Sequence, residues 1–184
     1  MAKGLGIAFL ITLIGGHLAD QEGDALERPL SLFRDVEPVW IGYAMFALLV
    51  ALAAEMTRTA WRLSYRSQFV VYLFMTFTLT VTALTPSFVP LHTLSANVSM
   101  LTLFLNYAWL LYQNHKLFWL MVHVLIPTFL LRQDLIDTSG MWEKGMDLYL
   151  VAAVVVHHHF LEQGLPVQGN VRRLPENRSA DKVA

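Results

Sequence analysis

The residues of this sequence with the greatest chemical potential are its histidines. Imidazole can bind a metal ion, ligate haem iron or carry a proton. The chain has seven histidines. His123 lies inside one apolar stretch, and another apolar stretch ends with three consecutive histidines, His157–His159. An ionisable residue within a membrane-spanning segment is a functional-site hypothesis by default, so these positions are the first candidates.

Treating the fifth and sixth apolar segments as adjacent antiparallel helices brings His157 and His158 within one turn of His123 in depth. Consecutive residues on a helix point about 100° apart, so at most two of the three neighbours can face one site. His123, His157 and His158 are therefore the candidate cofactor-binding residues. Asn106 and the buried acid Glu55 are the expected hydrogen-bond partners. Ordinary hydrogen bonds between helices, or contacts with lipid headgroups, are the commoner explanation of such histidines, and this alternative stays open.

A second candidate group lies toward the opposite membrane surface and consists of His17, Asp20 and His92. His17 and Asp20 are three residues apart, a spacing that suits a pair of zinc or copper ligands. A histidine at the end of a membrane span can also lie at the interface with its nitrogens in water and bind nothing. The group therefore predicts either a metal site or ordinary interfacial side chains.

A polar stripe runs along the fourth apolar segment, with residues at intervals of three, four, three and four: His92, Ser95, Ser99, Thr102 and Asn106. Polar side chains in a membrane helix face protein or water, because lipid offers them no partner. The stripe indicates either hydrogen bonds between helices, worth about 0.6 kcal/mol each, or the wall of a wet cavity or substrate path. The opposite face should be apolar and is represented by Leu101, Phe104, Leu105 and Ala108.

The composition indicates which elements must hold these residues. Of the 184 residues, 55% are hydrophobic and 15% charged, whereas soluble domains average about 45–50% and about 25%. The formal net charge of −1 argues against nucleic-acid binding. The absence of cysteine excludes disulfides, thiol nucleophiles and iron–sulfur clusters. No familiar catalytic motif, such as GxSxG or HExxH, occurs.

Six apolar segments can be taken from the sequence: Gly4–Ala19, Val39–Thr57, Ser67–Pro86, Thr93–Tyr112, Leu117–Arg132 and Met146–Glu162. A helix needs about 20 residues to cross the hydrocarbon, with a lower limit near 17. The second to fourth segments meet this requirement, and the shorter first and fifth need snorkelling ends. The sequence predicts an all-α, polytopic transmembrane bundle over residues 1–163 and a mobile cytoplasmic tail over residues 164–184.

The distribution of basic residues predicts the orientation of the bundle. On the six-span topology, nine lysines and arginines lie on the side of both termini, and four lie on the other side: Arg28, Arg34, Arg132 and Lys144. Cytoplasmic loops carry the excess of positive charge. Both termini are therefore expected in the cytoplasm, with the protein in a bacterial inner membrane.

The sequence predicts an integral membrane protein with the lipid bilayer as its partner. Two functional interpretations follow from these observations. The first is non-enzymatic: a subunit of a membrane assembly, or a small conduit for protons or a solute along the polar stripe. The second is binding of haem b or a divalent metal by the transmembrane histidines, for electron transfer or, with less support, an intramembrane metallohydrolase. Small-residue ridges allow close helix packing or self-association, and include Gly4, Ala8, Thr12 and Gly16 on the first segment and Ala47, Ala51 and Ala54 on the second.

The topology is tested by reporter fusions. Fusions after Val36, Phe88 and Thr138 should report the outer side, and fusions after Arg62, Asn114 and Asn170 the cytoplasm, because the positive-inside rule orients the chain. An outer location for the fusion at Asn170 would contradict the six-span topology.

Overall fold

In the computed structural model of this protein, the described residues are 1–19, 39–131 and 139–162. They form helices and no strand within those ranges, so the all-α prediction is confirmed for them. The helices are α1 (Ala2–Ala19), α2 (Val39–Arg62), α3 (Arg66–Leu84), α4 (Pro90–Gln113), α5 (Leu117–Leu131) and α6 (Ser139–Glu162). Asp20 and the predicted tail over residues 164–184 lie outside the described residues.

Three of these helices are long and apolar enough to cross a membrane: Trp40–Arg62, Arg66–Leu84 and Pro90–Gln113. Two shorter apolar helical stretches cover Ala2–Gly16 and Leu117–Thr128. Large exposed side chains near the helix ends include Trp40, Trp61 and Trp109, as is typical of residues at a membrane interface. The chain is a membrane protein built as a helix bundle.

Tight turns join α2 to α3 and α4 to α5. At the first turn, the Tyr65 amide donates to the Ala60 carbonyl over 2.9 Å, and Ser64 has a φ of 59°. The second turn repeats this pattern, with Lys116 donating to Leu111 over 2.9 Å. Both are Schellman motifs, in which a residue in the left-handed region ends the helix and reverses the chain. The two turns make antiparallel hairpins of α2 with α3 and of α4 with α5.

Helix α6 completes the bundle by packing against α1, α2, α4 and α5, whereas α3 packs against α2 and α4. The close approach of α1 to α6 is at Gly6, where a Cβ atom would lie 2.8 Å from a methyl group of Val155. Gly4, in the predicted small-residue ridge, has nothing within 4 Å of such an atom. A small residue does allow close packing of α1 against α6, but that residue is Gly6, two positions from the predicted Gly4.

Hydroxyl groups join α3 and α4 in the middle of the bundle. Ser99 Oγ donates to Thr78 Oγ1 over 2.7 Å, and the hydroxyl oxygens of Ser95 and Thr82 are 2.8 Å apart. Both threonine hydroxyls also bond a carbonyl of their own helix. Since a buried hydroxyl without a partner is costly in hydrocarbon, these pairs specify how α3 and α4 face each other.

The same interface continues toward both ends of α4. Near one end, the amide groups of Gln68 and Asn106 exchange two hydrogen bonds of 3.1 and 3.0 Å. Near the other, His92 Nδ1 lies 2.9 Å from the carbonyl oxygen of Thr82 and 3.0 Å from that of Thr85. We call these contacts, with the two hydroxyl pairs, the α3–α4 ladder. The buried members of the predicted stripe are thus directed at α3.

The face of α4 opposite the stripe carries apolar residues, as the spacing of the stripe predicts. Leu101 and Leu105 are exposed on the opposite face, and Thr102 is half-buried. Among the described residues, the Thr102 hydroxyl has no hydrogen bond to another helix. The stripe in the structure is therefore narrower than the sequence pattern, because Thr102 has no partner in α3, unlike the other four stripe residues.

The ladder is tested by substituting two asparagines of the same helix. Asn106→Ala should lower the free energy of unfolding by about 1–3 kcal/mol, because the buried Gln68 amide loses both hydrogen bonds. Asn97→Ala is the matched control: Asn97 is exposed and has no hydrogen bond to another described residue, so its substitution removes no bond and should not lower the free energy of unfolding. The measurement is chemical unfolding of the protein in lipid bilayers, and equal effects of the two substitutions would contradict a stabilising ladder.

Candidate functional site

A cavity of about 450 Å³ lies between α4, α5 and α6. This volume is within the range of about 300–1,000 Å³ that is usual for small-molecule sites. The walls are mainly apolar and aromatic, and they include Leu110, Leu111, Trp119, Val122, Ile126, Ala152, Ala153, Val156, Phe160 and Leu161. The polar lining comes from tyrosine and histidine side chains, together with Asn114 and Lys116 near the α4–α5 turn. An apolar cavity with few polar groups has the character of a binding site.

Regular spacing on α5 and α6 produces the long walls. From α5 the cavity receives Lys116, Trp119, His123 and Ile126, at intervals of three or four residues. Residues at these intervals share one face of a helix, and ten residues of helix extend for about 15 Å. The cavity is therefore elongated along the helices, from the α4–α5 turn toward the membrane interior.

His123 is held on the cavity wall by hydrogen bonds from both ring nitrogens. Its Nε2–H donates to the Phe104 carbonyl oxygen over 3.0 Å, and its Nδ1 pairs with the Tyr149 hydroxyl. A neutral imidazole that donates from Nε2 must accept at Nδ1, so Tyr149 is the donor. The ring is also stacked on Phe104, with centroids 4.5 Å apart. Neither nitrogen of His123 is left to bind a ligand in this arrangement.

His157 is paired in the same way with a tyrosine of α3. Its Nδ1 bonds the hydroxyl of Tyr72, which is completely buried. The Tyr72 oxygen also accepts a hydrogen bond from the side-chain amide of Asn106, so the Tyr72 hydroxyl proton is left for His157, and Nδ1 accepts it. The other nitrogen, Nε2, then carries the proton. It has no hydrogen-bond partner in the described part of the chain, although His157 is only 4% exposed and lines the cavity.

Tyr107 lies between these two tyrosine–histidine pairs. Its ring centroid is 5.0 Å from that of His123 and 5.9 Å from that of His157. Tyr107 also lines the cavity. Tyr107 is half-buried, and its hydroxyl makes no hydrogen bond to any residue in the described ranges, although a tyrosine hydroxyl in apolar surroundings usually finds a partner. Toward the α4–α5 turn, the exposed Lys116 and Trp119 also carry polar atoms without a protein partner in the described residues. Farther from that turn, the cavity wall has two such groups, the Tyr107 hydroxyl and His157 Nε2.

His158 is directed away from the cavity toward α2. Its Nε2 is 3.2 Å from the Thr59 hydroxyl and 3.7 Å from Glu55, and its Nδ1 is 3.5 Å from Glu162. Glu55 is buried and accepts hydrogen bonds of 2.9 and 3.2 Å from Arg58. The sequence analysis grouped His158 with His123 and His157. The structure instead brings His123 and His157 to one cavity and pairs His158 with Glu55.

The predicted outer group is described only in part. His92 is buried, belongs to the α3–α4 ladder and packs edge-on against Phe46, with ring centroids 5.8 Å apart. Asp20 and the side chain of His17 lie outside the described residues. No cluster of three or more potential metal ligands occurs in the described part of the chain. Metal binding by His17, Asp20 and His92 stays a prediction.

The sequence analysis missed the tyrosines, which hold the site together. Tyr72, Tyr107 and Tyr149 lie in three different helices, and a usable signal was that each places a hydroxyl inside an apolar segment. The sixth segment predicted from the sequence begins at Met146. Helix α6 begins at Ser139, so the buried Lys144 lies inside the helix.

The chemistry that this arrangement supports is binding. Both imidazoles of the cavity wall are hydrogen-bonded to tyrosine hydroxyls, and the Tyr107 hydroxyl has no hydrogen bond to a base among the described residues. What remains is an apolar volume, a set of aromatic rings and two hydrogen-bonding groups. Comparison of the chain with protein-family models, with curated proteins and with solved structures finds no match in any of the three.

Proposed function

We propose that this chain is a non-enzymatic integral membrane protein that binds a lipid-soluble small molecule in the cavity between α4, α5 and α6. The observation that carries the proposal is the composition of the cavity rim. Trp119, Val156 and Phe160 line the cavity and are also exposed on the outer surface. A mouth with such a rim faces hydrocarbon in a bilayer, so an apolar ligand reaches it from the membrane.

A conduit along the polar stripe has less support than binding. Each buried stripe residue has a partner in α3 through the α3–α4 ladder. Water or a solute passing along α4 would have to replace those bonds. A role as a subunit of a larger assembly is compatible with the proposal, because Ala47 and Ala54 are exposed on α2 and offer a small-residue surface to another helix.

The proposal includes six membrane spans, both termini in the cytoplasm and a location in the bacterial inner membrane. The positive-inside asymmetry supports the orientation. Packing supports placing the ends of α2 and α6 on the same side of the membrane, because Arg62 and Glu162, at those ends, are 3.5 Å apart. Gly6, near the start of α1, lies beside Val155. Lys116, at the start of the short α5, is exposed and can snorkel to the headgroups.

Haem b or a divalent metal bound by the histidines is the alternative ligand. It would need His157 Nε2 without its proton, whereas the hydrogen bond from Tyr72 to Nδ1 favours the tautomer with a proton on Nε2. An absorption spectrum and metal analysis of the purified protein distinguish the two. A Soret band that disappears in His157→Ala would establish haem and overturn the proposal of an apolar organic ligand.

The cavity is tested with 1-dodecanol as an apolar probe. We expect the probe to raise the midpoint of thermal unfolding of the protein in lipid nanodiscs, since a ligand at about 100 times its Kd stabilises by about 2.7 kcal/mol. Ala152→Phe should abolish the shift, because Ala152 lines the cavity and a phenyl ring would fill it.

The matched control is Ala54→Phe. Ala54 is an equally exposed alanine on α2 and is not part of the cavity wall, so this variant should keep the full shift. Loss of the shift in both variants, or in neither, would show that dodecanol acts through the bilayer and would contradict binding in the cavity.

A further inference from the structure

The two polar groups without a partner restrict what the cavity can hold. A hydrogen-bonding group that is buried in an apolar wall without a partner is costly. Because Tyr72 donates to Nδ1 of His157, the other ring nitrogen, Nε2, carries the proton and needs an acceptor. The Tyr107 hydroxyl can donate to an acceptor as well. Since both residues line the cavity and their ring centroids are 5.9 Å apart, we expect one ligand to reach both groups.

The shape of the walls restricts the ligand further. Six aromatic or imidazole rings line the cavity: Tyr107, Trp119, His123, Tyr149, His157 and Phe160. Flat side chains of this kind pack well against a planar ring, through offset or edge-to-face contacts. An acyl chain would fill the elongated volume but would leave both polar groups unpaired. An anionic amphiphile would use exposed Lys116 at the mouth and would likewise leave them unpaired.

We propose that the ligand is a lipid-soluble ring compound with carbonyl oxygens, the chemistry of the membrane quinones, and that Tyr107 and His157 donate hydrogen bonds to it. This inference rests on the proposed function and names its ligand class. Tyr72 is a positioning residue, because its hydroxyl keeps the proton of His157 on Nε2. The hydrocarbon tail of such a compound leaves through the apolar mouth beside Trp119 and Phe160.

The experiment compares two probes that differ only in the ring: decyl-1,4-benzoquinone and decylbenzene. Each is added at the same mole fraction to the protein in lipid nanodiscs, and apparent affinity is taken from the shift in thermal unfolding. The quinone should bind about tenfold more tightly or better, since each 1.4 kcal/mol from hydrogen bonding is a factor of ten. Tyr107→Phe should remove most of this preference while decylbenzene binds as before.

Tyr112→Phe is the matched control, because Tyr112 is an exposed tyrosine of the same helix and does not line the cavity. It should keep the full preference for the quinone. His157→Gln should reduce the preference as Tyr107→Phe does. If His157→Gln does not fold, Tyr107→Phe decides alone, because its hydroxyl has no partner in the described structure and its removal should not affect folding.

The outcomes separate this inference from the proposed function. Equal binding of both probes, lost in Ala152→Phe, would overturn the quinone assignment and leave the cavity as a site for apolar molecules. Tighter binding of decanoate than of the quinone, lost in Lys116→Gln, would assign the site to anionic amphiphiles and also overturn it. Binding of none of the probes would overturn both proposals.

Discussion

The constraint on which this structure depends is that lipid gives a polar group nothing to bond to. Each polar side chain of a spanning helix must therefore find its partner inside the protein. The α3–α4 ladder meets this requirement with paired hydroxyls and the reciprocal amides of Gln68 and Asn106. Helix α6 meets it by pairing Tyr149 with His123 and His157 with Tyr72. The rotations of α3, α4, α5 and α6 about their axes follow from these pairings more than from apolar contacts, which lipid could equally provide.

Because of this constraint, a polar group in the bundle that lacks a protein partner is informative. Most buried polar side chains of the described bundle have a protein partner, whereas the Tyr107 hydroxyl and His157 Nε2 in the cavity wall have none. In water, such groups would simply be hydrated. If the cavity opens to hydrocarbon, as we propose, they favour a ligand that supplies the missing acceptor. This is why binding is a better account of the site than catalysis or conduction.

The sequence could predict which elements form and which face of α4 is polar, since both depend on local composition and on a period that repeats along one helix. The segments from Val39 to Tyr112 correspond closely to α2, α3 and α4. The sequence could not predict which histidines lie close together. The depth of a residue along a helix follows from its number, but the rotation of the helix about its axis does not. His157 and His158 are adjacent in sequence, yet one faces the cavity and the other faces Glu55. The three tyrosines lie in separate helices, and only their packing reveals that they belong together.

The two tyrosine–histidine pairs have a consequence for the order in which the protein is built. Each pair takes one member from α6, Tyr149 in one and His157 in the other. Helices α2 with α3 and α4 with α5 are joined by tight turns, so each can form as a local hairpin as soon as it is synthesised. Until α6 follows them, His123 and Tyr72 lack the partners that α6 supplies. Arrival of the last helix therefore completes the hydrogen bonding of the earlier ones and encloses the cavity in the same step, so a ribosome paused before α6 would hold a chain with its ladder made and its binding site still absent.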